Sequence, residues 1–354
     1  MKRIDIFLLS VVVFLTLFGL FMIYDASSFI AFRDFSDKYH YIKDQFFWVA
    51  LGFAGLFIFA NFNYHKLYNL SLPILFVAIV LLVLVFVPGI GVKLLGAHRW
   101  INVGFLLQPA EFVKLALAIY LSAWLSRKEK GRFLSYLLLL GLVLLLVILE
   151  PDMGTAAVIL CEALVIYFLS GGNIFYFVSL IPILAGLGVL LIKFSPYRVQ
   201  RLNTFFNINE NVQTSSYHVR QILIALGAGG ITGVGLGNSL QKYAYLPEVS
   251  TDSIFAIIAE EFGFIGASIL IVLFVIVVWR GFYIARMAKD NLGKLLAGGI
   301  TTFLAIQTIV NLAAQTALLP LTGIPLPFIS YGGSALIVDL CSVGILLNIS
   351  RHNT

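Results

Sequence analysis

The chain has 354 residues, of which 60% are hydrophobic and 11% are charged, and its formal net charge is +6. Soluble domains carry roughly 25% charged residues, so this composition cannot cover a water-exposed surface and excludes a soluble protein. The Lys and Arg residues lie between the apolar runs rather than on one face, which gives no support to nucleic-acid binding and favours anionic lipid as their counterion.

Ten apolar segments follow one another, and the longer ones match the roughly 20 residues that a helix needs to cross a bilayer. They are residues 6–24, 45–62, 68–87, 109–126, 134–149, 155–170, 174–194, 254–279, 295–318 and 334–349. Backbone polar groups in lipid must be satisfied within each segment, so these lengths indicate helices rather than the strands of a barrel. We therefore expect one all-α polytopic membrane domain over residues 1–354, with about ten transmembrane helices.

The basic residues of the short connections predict the orientation. The two densest connections, 127–132 and 280–294, fall on the same side of the membrane when the ten spans are followed in order. The positive-inside rule assigns that side to the cytoplasm. Both termini are then expected to be cytoplasmic, with the other set of connections outside.

Three outer connections are long or rich in polar and turn residues: 88–108, 195–253 and 319–333. The middle one joins spans 7 and 8, and a connection of roughly 59 residues without structure of its own usually has a function. It contains an amphipathic stretch, 217–226, which would lie along the interface or re-enter the bilayer. A glycine-rich turn, 227–237, follows, where the backbone can approach other backbone or a ligand closely.

Five acidic residues lie within the spans, where a carboxylate normally faces the bundle interior, pairs with a cation or stays protonated. They are Glu111, Glu162, Glu260, Glu261 and Asp339. Glu111 and Lys114 are three residues apart and share one helix face. Either they form a structural ion pair, or Lys114 meets an anionic substrate in a polar cavity with Glu111 as its orienting partner. For Glu162 and Asp339 we favour packing or hydrogen bonding between helices.

The segment 247–256 joins the long outer connection to the eighth span, which places Glu248 and Asp252 near the outer boundary of the membrane. Ser, Thr and Asp before an apolar helical run are common N-cap residues, so one interpretation of Asp252 is a helix cap. The alternative is a catalytic carboxylate.

Cations in the outer connections complement these carboxylates, and guanidinium groups suit phosphate oxygens. They are Arg99, Arg198, Arg201, Arg220 and Lys242. If their segment is helical, Arg198 and Arg201 share a face and can bind a pyrophosphate; the alternative is contact with anionic headgroups. The turn 325–334, with two prolines, two glycines and three hydroxyls, is either a rigid helix entry or part of a site.

Several motifs in this order resemble those of the SEDS proteins (shape, elongation, division and sporulation). The longest runs from Gly235 to Asp252, and its wording is more similar to the division branch, FtsW, or its sporulation relative SpoVE than to the elongation protein RodA. The other matching stretches are 96–102, 108–114, 150–155, 196–201, 213–221 and 327–334. His98 stands where the family often has a second Arg, and Val249-Ser250 replace a more usual pair.

This resemblance implies a peptidoglycan glycosyltransferase of the bacterial cytoplasmic membrane. Such an enzyme polymerises lipid II, the undecaprenyl-pyrophosphate-linked disaccharide-pentapeptide, on the outer face for cell division or cell shape. The family's essential aspartate falls on Asp252, which we expect to be the catalytic base. The matched motifs assign the following substrate-binding residues: Arg99, Glu111, Lys114, Glu150, Asp152, Arg198, Arg201, Gln213, Tyr217, Gln221, Lys242, Glu248, Ser330, Tyr331 and Ser334.

The resemblance also implies partners: a class B penicillin-binding transpeptidase and other division or elongation proteins. One carboxylate can serve as base, while a pyrophosphate leaving group needs cationic stabilisation by Arg and Lys or by a divalent ion. Whether Mg²⁺ or Mn²⁺ takes part, with Asp252 as a candidate ligand, is left open, and no other cofactor is expected.

Two other classes of function are weighed against a polymerase. A lipid II flippase needs a path to both faces and usually an internal repeat, whereas the motifs here collect on the outer side. A non-catalytic division scaffold leaves the density of motifs unexplained. The pattern therefore favours the polymerase.

Overall fold

The computed structural model describes residues 4–94, 97–102, 104–127, 131–194, 199, 202, 205–206, 215–243 and 246–353. The helices are α1 (Ile6–Phe35), α2 (His40–Asn61), α3 (Lys66–Leu84), α4 (Pro109–Leu125), α5 (Phe133–Leu149), α6 (Met153–Leu169), α7 (Ile174–Lys193), α8 (Ser215–Gly229), α9 (Ile254–Met287), α10 (Asn291–Gln315) and α11 (Gly333–Asn353). Three short strands accompany them: β1 (Gly91–Leu94), β2 (Ala97–Asn102) and β3 (Leu106–Leu107).

Each of the ten predicted spans corresponds to a helix, so the prediction of an all-α multi-pass membrane protein is confirmed. Six of these helices, α1, α2, α3, α9, α10 and α11, are long and apolar enough to cross a membrane. Helix α1 continues to Phe35 and α9 to Met287, well past the predicted ends. Polar residues end an apolar run without ending a helix, and at 1.5 Å per residue α1 is about 45 Å long, more than the bilayer core.

The β-sheet was not predicted. Its order is β1-β2-β3, antiparallel throughout, with Val92 opposite Trp100 and Ile101 opposite Leu107. The strands are short, and β1 changes register between Val92 and Lys93, so no clear alternation marks them in the sequence. The sheet lies in the connection 88–108 and marks one end of the helix bundle, which we call the sheet end.

Helices α10 and α11 form the centre of the bundle: 72% and 89% of the residues in their most apolar 18-residue stretches are buried inside the protein. The peripheral helices instead expose large apolar side chains such as Phe14, Phe57 and Phe76. In a membrane protein these side chains face lipid, so the core is built around the two central helices.

Helix α9 is interrupted at Gly263, whose φ of 67° and ψ of −167° are not helical. The glycine-rich turn after α8 pairs with the interrupted backbone: Val234 N–H donates to the Glu260 carbonyl at 3.0 Å, and Phe264 N–H donates to the Gly230 carbonyl at 2.9 Å. The amphipathic stretch forms a helix, α8, whose place in the interface or the bilayer stays a prediction, and the turn behind it is fixed against α9. Irregular backbone at such a place is stable only because these bonds are made.

Candidate functional site at the sheet end

Asp252 lies directly before α9, one residue ahead of the N-cap. The N-cap is Ser253, and its side chain makes no capping bond. The backbone N–H of Ala256 in the first turn donates to Gln315 Oε1 of α10 at 2.9 Å and to the Ser253 carbonyl at 3.0 Å. Asp252 is therefore not the N-cap residue, and the capping interpretation does not describe its place in the fold.

Gly323 brings Asp252 and Arg99 to one place. Its φ is +76°, and a β-carbon at this position would lie 3.4 Å from Asp252 Oδ2 and 4.0 Å from Arg99 Nη1. The carboxylate and the guanidinium are thus adjacent to the same small space, which exists because residue 323 has no side chain. A carboxylate and a cation that come from distant parts of the chain meet at this glycine.

Arg99 is anchored by the turn between α5 and α6. Its Nε donates to the Glu150 carbonyl at 3.1 Å, and Nη2 donates to the Pro151 carbonyl. A guanidinium has five N–H groups, so further donors are left on the side of Gly323. Strand β2, which carries Arg99, thereby positions a fixed positive charge beside Asp252.

The two carboxyl groups of the α5–α6 turn differ in role. Asp152 caps α6, accepting from Thr155 N–H at 3.0 Å and from Thr155 Oγ1 at 2.9 Å. Glu150 is 0% exposed, and neither carboxyl oxygen has a hydrogen-bond partner among the described residues. Burial and the nearby Asp152 charge raise the pKa of Glu150 to about 9, against the opposite effect of Arg99. At neutral pH Glu150 is therefore protonated and cannot act as a base.

The turn before α11 is bound to the segment that carries Asp252. Ser330 Oγ donates to the Thr251 carbonyl at 2.7 Å, and Tyr331 N–H donates to the Ser250 carbonyl at 2.8 Å. Ser334 Oγ accepts from Gln108 N–H at 3.0 Å. These hydrogen bonds fix the turn before α11 against the segment that carries Asp252 and against the start of α4.

Two predicted cations lie in buried ion pairs. Lys242 Nζ contacts Asp25 Oδ1 at 3.0 Å and Glu261 Oε1 at 3.1 Å. Burial opposes its charge, but hydrogen bonds to these two carboxylates outweigh it and raise the Lys242 pKa. Lys114 Nζ contacts Glu111 Oε2 at 2.7 Å and is 1% exposed, which is the geometry of the structural ion pair. Substrate binding by these lysines stays a prediction.

Six further residues were predicted to bind substrate. Glu248 is exposed and has a φ of +51°, and Tyr217 and Gln221 of α8 are half-buried. Three predicted residues, Arg198, Arg201 and Gln213, lie outside the described residues. No group of three or more His, Cys, Asp or Glu that could hold a metal ion is present in the described part of the chain.

Sequence reasoning missed several residues that the structure places here. His218 Nε2 lies 2.7 Å from Ser253 Oγ and so connects α8 to the start of α9. Asn311 Nδ2 donates to the Ile324 carbonyl at 2.8 Å and to the Asp252 carbonyl at 3.4 Å. A polar residue repeated every four positions in an apolar helix is a signal that could have indicated Asn311.

Known proteins are similar to this chain in sequence along nearly its whole length. The family model of the FtsW, RodA and SpoVE proteins, described as cell cycle proteins, matches residues 6–354. A probable peptidoglycan glycosyltransferase FtsW from Trichlorobacter lovleyi is 40% identical over 353 residues, which cover 98% of this chain and 93% of that protein. Stage V sporulation protein E from Bacillus subtilis is 39% identical over 358 residues, which cover 99% and 97% of the two chains.

Solved structures of similar sequence have the same fold as this chain. A chain of a peptidoglycan synthase complex, described as coordinating polymerization and crosslinking, has a TM-score of 0.81 and 26% identity, covering 100% of this chain and 99% of that one. The crystal structure of the rod shape determining protein RodA from Thermus thermophilus has a TM-score of 0.73 and 26% identity, covering 99% and 98%. The chain belongs to the FtsW, RodA and SpoVE family of cell cycle proteins.

Proposed function

We propose that the chain polymerises lipid II into glycan strands at the outer face of the bacterial cytoplasmic membrane, with Asp252 as the base. It is a peptidoglycan glycosyltransferase, the activity named for its FtsW relatives. The observation that supports Asp252 is its place beside Gly323, where its carboxylate and the Arg99 guanidinium are adjacent to one space. The sheet end then faces outward and both termini face the cytoplasm.

The reaction needs one proton acceptor and a stabilised leaving group. The 4-hydroxyl of the acceptor sugar gives its proton to Asp252 while its oxygen bonds to the anomeric carbon of a second lipid-linked sugar. The bond between that carbon and the pyrophosphate oxygen breaks, and the electron pair leaves with undecaprenyl pyrophosphate. Arg99 stabilises the developing negative charge, and Arg198 and Arg201 are the further candidates from the sequence.

An apolar groove provides room for the lipid tail. It has a volume of about 440 Å³ and lies between α2, α3, α4 and α11, with Phe59, Phe112 and Ile337 among its lining residues. Its lining is almost wholly hydrocarbon, which suits a prenyl chain and no polar substrate. A substrate with its headgroup at the sheet end and its tail among the helices explains why a glycosyltransferase is built of membrane spans.

The test is polymerisation of labelled lipid II by the purified chain and by its Asp252→Asn variant. Asn keeps the size of Asp and, since Gln315 caps α9, leaves the helix end intact. Loss of a general base lowers the rate by about 10² to 10⁴, so the variant should bind lipid II and make almost no glycan. Asp37→Asn is the control, because Asp37 is a half-buried carboxylate between α1 and α2 that pairs with Lys43 and lies outside the candidate site.

Three outcomes would change the proposal. Near wild-type polymerisation by Asp252→Asn would show that Asp252 is not the base. Activity restored to that variant by a different divalent ion would make Asp252 a metal ligand. If the wild-type protein moves lipid II across vesicle membranes and makes no glycan, alone or with its partner, it is a flippase.

A class B penicillin-binding transpeptidase is the partner that this activity calls for, because uncrosslinked strands need a second enzyme. The similarity to a chain of a peptidoglycan synthase complex supports such a pairing. Co-purification of the two proteins, with a higher polymerisation rate for the pair than for the chain alone, is the expected result.

A further inference from the structure

A row of three buried amide side chains runs along one face of α10 toward Asp252. Gln307, Asn311 and Gln315 are four residues apart, so they share a face, and they are 0%, 2% and 1% exposed. Amides buried in this way need hydrogen-bond partners. Their partners are backbone groups of the segments that form the site.

The outer end of the row fixes which way the amides point. The backbone N–H of Ala256 can only donate, so Gln315 presents its oxygen there, at 2.9 Å. Gln315 Nε2 then donates to Asn311 Oδ1 at 2.7 Å. The Asn311 nitrogen is thereby directed to the opposite side, where it donates to the carbonyls of Ile324 at 2.8 Å and Asp252 at 3.4 Å.

The inner end of the row is fixed independently. The Lys114 ammonium can only donate, and it lies 2.6 Å from Gln307 Oε1. Gln307 Nε2 therefore faces the Pro325 carbonyl, at 3.1 Å. The carbonyls of Ile324 and Pro325, directly after Gly323, are both held by α10.

We propose that Asn311 is a positioning residue for Asp252. Its one amide group bonds the backbone of Asp252 and the backbone next to Gly323, so it sets the width of the space in which the base meets its substrate. Gln315 and Gln307 keep that amide and the neighbouring carbonyl in place, and the Lys114 ion pair anchors the row in the membrane interior. The inference rests on the proposed function, since it requires Asp252 to be the base.

The variant that tests this is Asn311→Asp. Asp has the shape of Asn and keeps an oxygen for Gln315, but it loses the nitrogen that bonds the two carbonyls. Displacement of a catalytic group by about 1 Å costs up to about 100-fold in rate. We expect kcat to fall about 10- to 100-fold while KM for lipid II stays within about twofold. Thr308→Ala is the matched control: among the described residues the Thr308 hydroxyl bonds only the Leu304 carbonyl of its own helix, so its removal should leave kcat unchanged.

A double-mutant cycle separates positioning from general destabilisation. If Asn311 acts through Asp252, adding Asn311→Asp to Asp252→Asn causes no further loss of the residual rate. Gln315→Glu supplies a second variant if Asn311→Asp does not fold: it keeps the oxygen for Ala256 but frees Asn311 to turn, and a kcat loss of the same kind is expected.

The results distinguish this inference from the proposed function. If Asp252→Asn is inactive and Asn311→Asp has a kcat within about twofold of wild type, only the positioning role is wrong. A further loss in the double variant, or a fall in kcat that follows the loss of folded protein, also overturns it. If Asp252→Asn is active, the base assignment fails and the positioning role fails with it.

Discussion

Replacing Gly323 by Ala is expected to block the site without unfolding the protein. The φ of +76° at this residue costs about 1–3 kcal/mol for a non-glycine residue. The added methyl group would lie 3.4 Å from Asp252 Oδ2 and 4.0 Å from Arg99 Nη1, which are ordinary contact distances without a clash. It would occupy the space where a substrate oxygen must reach the carboxylate, so we expect a rate loss of about 100-fold.

Gly104→Ala is the matched control for this variant. Gly104 also lies at the sheet end and has a φ of +93°, but a β-carbon there would meet none of the described residues beyond its chain neighbours within 4 Å. Both variants should show a similar small decrease in Tm, and only Gly323→Ala should lose lipid II polymerisation. Equal activity of the two variants would refute the assignment of the reaction to the space beside Gly323.

The other two predictions concern Glu150 and the orientation in the membrane. Glu150 has a pKa of about 9 in the folded protein, against 4.5 for an ordinary Glu, so between these two pH values only the folded state keeps the proton. The free energy of unfolding therefore falls as pH rises from about 4.5 to 9. Glu150→Gln should therefore be more stable than wild type by a margin in Tm that grows over this range, with activity at pH 7 unchanged within about threefold; a constant margin, or a loss of 10²-fold or more, would contradict this assignment. For orientation, cysteines placed at the exposed Leu240 and Lys289 should react with an impermeant reagent from outside and from the cytoplasm respectively, and labelling from the same side would refute the topology.

The sequence predicts most of the fold because lipid imposes a simple rule on it. Each membrane span must be an apolar helix, so the ten spans could be found from the positions and lengths of the apolar runs, and each corresponds to a helix. The small sheet followed no such rule and was missed. The family resemblance and the enzyme class are confirmed by the FtsW relatives, whereas every residue role stays a prediction.

The candidate site was less accessible to sequence reasoning. The motifs indicated Asp252 and Arg99 separately. Their meeting at Gly323 depends on how the connections α3–α4, α5–α6, α8–α9 and α10–α11 pack together, which spacing along the chain does not encode. The Lys114 and Glu111 pair shows the same limit: a spacing of three predicted their contact correctly, yet it could not decide between substrate binding and a structural role.

Polar contacts in the membrane interior explain how the groups of such a site are kept in position. Lipid tails are as apolar as the helix surfaces, so the hydrophobic effect does little to fix one helix against another, and small residues and hydrogen bonds between helices take over that role. Here the Lys114 pair holds Gln307, and the amides of α10 hold the carbonyls beside Gly323 and Asp252. A substitution of Gln307 or Asn311, deep in the bundle, should therefore change catalysis at the sheet end through these bonds.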